Sequence, residues 1–105
     1  MMMQVQLSEM TQFSSTSPLR KILFDSPSLR ILIFNFEPGQ EMPVHEHHAD
    51  SQLAFLVLDG EGVFTCEDSD TAIKTGSLHV MPVSEPHGFK ATSRLRMLVF
   101  LAPPF

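Results

Sequence analysis

A chain of 105 residues has the length of one domain, so any activity has to be built into a single small core. Apolar residues make up 43% of it and charged residues 18%, which excludes the low-hydrophobicity, high-charge composition of a disordered chain. Twelve acidic residues against seven basic ones leave a net charge of −5, the wrong sign for binding through phosphate contacts, and no nucleic-acid partner is expected.

The first ten residues carry no basic cluster followed by an apolar run, and no later stretch approaches the ~18 apolar residues of a membrane span. The expectation is a cytoplasmic chain without a membrane partner. Residues 8–18 are rich in Ser and Thr, and 1–18 read as a flexible lead-in or a dimer arm, with the domain proper over 19–105. From there short apolar runs recur: Lys21 to Phe24, Arg30 to Phe36, Gln52 to Leu58, Val63 to Cys66, Leu78 to Met81 and Leu95 to Leu101. Between them lie DSPS, EPGQ, DGEG, EDSD, PVSEP and ATSR, all of them turn chemistry. A single cysteine, Cys66, cannot close an intrachain disulfide and reads as structural.

No window combines a long 3.6-residue apolar repeat with a helix cap, whereas the runs are of strand length and rich in Val, Ile and Phe. The chain is therefore expected to be all-β. Asp59-Gly60-Glu61-Gly62, between two apolar runs, predicts a hairpin. Leu53 to Leu58 and Met97 to Leu101 are apolar on both alternating faces, so both faces need cover, either from a second sheet or from another subunit. These runs predict a compact sandwich or jelly roll that pairs as a homodimer.

Between Arg30 and Lys74 there is no basic residue and there are nine acidic ones, in a stretch that also holds His45, His47 and His48. Such a segment is either a site that attracts a cation or an acidic solvated surface. His45 and His47, two residues apart on an extended chain, project from one face, the geometry needed to chelate one metal. His48 should point the other way. His79 is open to a core, rim or interface position. No nucleophile elbow, phosphate loop or Schiff-base lysine accompanies them.

The spacing around these histidines resembles the cupin superfamily. Gly39, five residues, His45-Glu46-His47, four residues, Gln52 and then Gly60 follow the family's first motif; Gly76, five residues, Pro82-Val83-Ser84, two residues and His87 follow its second. Gln52 stands where the family has Glu, with one extra residue before Gly60 that a β-bulge could absorb. Ser84 and Ala91 replace the second motif's Gly and Asn. The resemblance implies a small single-domain cupin whose fold is a double-stranded β-helix, a jelly-roll barrel, commonly dimeric.

It also implies that His45, His47 and His87 are metal ligands, with Gln52 a candidate fourth. Neutral imidazoles suit Fe, Zn, Ni, Mn or Cu, and three of them leave positions open for water or substrate. Strand alternation puts Phe89 and Ala91 on the face of His87, so Phe89 is a candidate pocket wall, joined by Phe36, Met42 and Phe55. The expected function is a metal-dependent, dioxygenase-like enzyme acting on a small organic molecule. The alternative is a non-catalytic module that binds a metal or small ligand, as a sensor or carrier. A metal-independent sugar-modifying cupin fits less well, because the first motif lacks basic residues for sugar-nucleotide phosphates.

Overall fold

The computed structural model describes residues 2–105. Nine strands form two antiparallel sheets, and the one helical element among the described residues is a single 3-10 turn, Leu7–Glu9. The strands are β1 (Leu19–Asp25), β2 (Arg30–Phe36), β3 (Glu41–His45), β4 (Gln52–Asp59), β5 (Glu61–Thr65), β6 (Asp70–Lys74), β7 (Leu78–Pro82), β8 (His87–Ala91) and β9 (Leu95–Ala102). One sheet has the order β1-β2-β9-β4-β7 and the other β3-β8-β5-β6. This is the jelly-roll architecture, with neighbours in each sheet drawn from distant parts of the chain.

Alternation decides which side chains meet between the sheets. Leu53, Phe55 and Val57 of β4 and Leu95, Met97, Val99 and Leu101 of β9 turn inward and are buried. Phe36 from β2 and Phe89 and Ala91 from β8 close the same core. The apolar runs mark β1, β2, β4, β5, β7 and β9. Three strands, β3, β6 and β8, carry too few apolar residues to form a run: β6, for instance, buries only Ile73. Cys66 lies just past the end of β5, where its Sγ donates to the Ser69 carbonyl at 2.9 Å.

The DGEG segment is not a hairpin. β4 pairs with β7 and β9, whereas β5 pairs with β6 and β8, so the chain passes from one sheet to the other at Gly60. Gly60 has φ +100°, and a Cβ there would lie 1.9 Å from the Arg94 carbonyl oxygen. Only glycine fits a corner that is both left-handed and this close to another backbone. A β-bulge does occur in β4, where the register with β9 slips between Val57 and Asp59.

The N-terminal segment lies along the outer face of the larger sheet. Asn35 Nδ2 donates to the carbonyls of Met10 at 2.9 Å and Gln12 at 2.8 Å, and the Arg96 guanidinium donates to those of Met10 and Leu7. Asn35 and Ile33 are buried by this contact although they face away from the core.

Candidate metal centre

Three imidazoles converge where β3 meets β8. His45 ends β3 and stands directly opposite His87, the first residue of β8, and their ring centroids are 4.4 Å apart. The register between the two strands slips between Met42 and His45, so β3 bulges at Pro43 and Val44. Pro43 has no N–H to add to a ladder and suits that place. Gly88, next to His87, allows the close packing of β8: a Cβ would come within 2.7 Å of the Met42 carbonyl oxygen and of Thr65 Oγ1.

His47 lies beyond the strand, in the loop that leads to β4. The loop is pinned at both ends to one residue, with His47 N–H donating to the Val83 carbonyl at 3.0 Å and Val83 N–H donating to the Ser51 carbonyl at 3.1 Å. His47 is thereby brought to 5.0 Å from His45, ring to ring. One ring nitrogen from each of the three lies within 4.8 Å of the others.

Two of the rings have their proton placed by the backbone. His45 Nδ1 lies 2.9 Å from the Pro43 carbonyl oxygen and His87 Nδ1 2.7 Å from that of Glu85. A carbonyl oxygen only accepts, so each Nδ1 carries the hydrogen and each Nε2 of the neutral ring keeps its lone pair. Glu85 thus matters through its main chain. Burial lowers the pKa of His87 from the ordinary histidine value, outweighing the Glu85 hydrogen bond, and lowers that of His47, with His45 adding to both effects. Neutral imidazoles with free Nε2 lone pairs are the form a divalent transition metal needs, so the donor set fits such an ion.

The histidines stand on the wall of a cavity of about 390 Å³, inside the range of roughly 300–1,000 Å³ usual for small-molecule sites. Met42, Phe55 and Phe89, expected as pocket walls, line it, and so do Phe34, Leu53 and Val99. Phe36 does not. It is fully buried in the core, one pair along β2 from Phe34, with their rings 6.2 Å apart. Alternation shows that Phe34 shares its face, but not which of the two meets open space.

Gln52 is also not brought to the cavity. It is exposed at the start of β4, while its neighbour Leu53 turns inward and lines the cavity with the three histidines. The bulge at the far end of β4 leaves this parity unchanged. Four residues on from His47 lead to Gln52, whereas the family's interval of six residues before Gly60 leads back to Leu53, and it is Leu53 that the strand turns inward. His48 is exposed, and His79 stacks on Phe55 at 4.7 Å, inside the barrel but off the cavity.

Arg20, Arg30 and Phe105 also line the cavity. Nothing local in the sequence signals them, since β1, the start of β2 and the C-terminal residues reach the site only through sheet order. Phe105 packs on the His47 ring at 4.6 Å.

A family model described as a cupin domain matches residues 32–101. Among solved structures, an RmlC-like cupin protein from Desulfovibrio desulfuricans is 34% identical, with a TM-score of 0.95 over 100% of both chains. The TT1209 protein from Thermus thermophilus is 24% identical, with a TM-score of 0.87 over 97% of this chain and 98% of its own. A protein with a double-stranded β-helix domain from Klebsiella pneumoniae is 20% identical, with a TM-score of 0.85 over 95% of this chain and 89% of its own. No curated protein matches. With two sheets in jelly-roll order, a three-histidine group on the inner wall, and a family match over two-thirds of its residues, the chain belongs to the cupins.

Proposed function

We propose that the chain holds a divalent transition metal on His45, His47 and His87 and acts as a small metal-dependent, dioxygenase-like enzyme on an organic molecule bound in the adjoining cavity. The observation that carries this reading is the convergence of three imidazoles, two with Nδ1–H fixed by carbonyls, on the wall of a largely apolar cavity. A metal so bound supplies Lewis acidity and, as Fe(II), the means to activate O₂. The residues around it do the rest: the Pro43 and Glu85 carbonyls orient two ligands, and Phe55, Phe89 and Leu53 exclude water and seat the apolar part of a substrate.

Metal content by elemental analysis of tag-free protein tests the site. The wild type should carry close to one metal per chain, and His87→Ala and His45→Ala should each weaken binding on the order of 100-fold or more. Retention in both variants would overturn it. Oxygen uptake by Fe(II)-reconstituted protein over small thiols, diketones and phenols tests the enzyme.

A second reading, a metal-binding or ligand-binding module without turnover, is favoured by one feature. The cavity lining holds no Asp, Glu, Lys, Cys or Tyr that could serve as acid or base besides the histidines themselves. Turnover over the substrate panel separates the two. We also propose that a second copy covers the outer face of the larger sheet.

A further inference from the structure

The cavity has a charge pattern opposite to that of the chain. The protein carries a net charge of −5, yet its cavity is lined by two arginines, three histidines and apolar side chains, without an Asp or Glu side chain. Leu53 holds the inward position of β4 beside the histidines, so no acidic side chain from that strand offsets positive charge at the centre.

The two arginines are not equivalent. Arg30 is neutralised by Asp25, with Nε 3.1 Å from Oδ1 and the second guanidinium nitrogen 3.3 Å from Oδ2. Arg94 pairs with Glu37, and Arg96 is spent on N-terminal carbonyls. Arg20 alone of the four makes no hydrogen bond or ion pair among the described residues. It stands opposite Phe34 in the register of β1 with β2, which puts it on the cavity side of the sheet. A guanidinium over an apolar cavity, with no partner among the described residues, is a receptor for a planar anion.

We infer that the cavity takes a small organic acid, an apolar body with a carboxylate head, and that Arg20 receives the carboxylate. Three neutral ligands would leave a bound divalent ion with its full charge, which adds to the same selectivity. The apolar walls accept the body of the ligand, and the volume of about 390 Å³ limits it to a small molecule. This inference deepens the metal-site reading and rests on it only for the second of its two positive charges.

The test is an NMR titration of the full chain, metal-free and Zn(II)-loaded, with 4-methylpentanoate and with its uncharged amide. In the metal-free protein the carboxylate should bind about fivefold tighter than the amide, the upper end for an exposed charge pair such as Arg20 would make, and added salt should erode the difference. Arg20→Gln should abolish the preference and Arg20→Lys should keep part of it, with zinc uptake unchanged in both. In the zinc form the preference should be larger. Equal affinity for acid and amide, binding of neither, or a preference that survives in Arg20→Gln would overturn the inference. A protein that takes up no zinc but shows the Arg20-dependent preference would overturn the metal site and leave the acid pocket standing.

Discussion

His45 and His87 each spend one ring nitrogen on a carbonyl two residues back in the chain, so the local backbone selects the tautomer that a metal requires. Burial holds His87 and His47 below the ordinary histidine pKa of 6.5. In the metal-free protein the unfolded chain therefore takes up protons at these two positions before the folded one does. Stability should be full above pH 6.5 and fall as the pH drops below it toward the lowered folded values. Urea midpoints measured between pH 7.5 and pH 5 should show this slope, and His87→Asn should flatten it. A slope unchanged by that substitution would show that other groups carry it. At Gly60 the constraint is steric, and Gly60→Ala should cost about 3 kcal/mol or more in thermal or urea unfolding. A cost under about 1 kcal/mol would mean that the Arg94 backbone yields easily. The H-x-H pair was legible from its spacing and His87 from the family resemblance, and the fold brings the three into one group that could hold a metal. The inward turn of Leu53 in place of Gln52 was not legible, because a one-residue difference in loop length reverses the parity of a whole strand.

At the scale of elements, the strands with apolar runs were legible from composition, and β6, which has none, was not. β3 and β8 carry His45 and His87; neither forms an apolar run, and the sequence marks them as extended only through the alternation around these histidines, while pairing holds them, β3 against β8 and β8 in turn against β5. The segment before β4 shows how a loop is made rigid without regular structure: Val83 hydrogen-bonds the main chain at both ends of it, and Ser51 Oγ donates to the Pro103 carbonyl at 2.6 Å. The N-terminal segment depends on Asn35, whose amide donates to two carbonyls while its own Oδ1 is buried without a partner. Asn35→Ala removes both bonds and should destabilise the fold by about 1–3 kcal/mol. Amide exchange around residues 8–12 should rise at least as much as it does in the sheet beneath. Exchange that stays slow there would mean that the Arg96 and Gln40 hydrogen bonds hold the segment without Asn35.

On the scale of the whole molecule, one face of the larger sheet stands out. Register aligns Ile31, Phe100, Ala54 and Val80 in one outward row and Ile33, Leu98, Leu56 and Leu78 in the next. The N-terminal segment covers the end near Ile33, while Leu78 and Val80 on the edge strand β7 are 62% and 64% exposed. A continuous apolar face of this kind suits burial against an identical one, and a C₂ dimer needs only a self-complementary patch. Sedimentation should show a dimer at micromolar concentration, and Leu78→Lys with Val80→Lys should yield a folded monomer. A wild-type monomer at that concentration would overturn the pairing. Among the described residues no helix is long and apolar enough to cross a membrane. By itself the sequence determined the all-β class, the cupin spacing and the three histidines, because turn chemistry, strand-length apolar runs and motif intervals are local properties of the chain. Only the tertiary structure decided that Gly60 changes sheets, that Leu53 faces the histidines and that Arg20 reaches their cavity. Those follow from strand parity and sheet order, which are set by contacts between residues far apart in sequence.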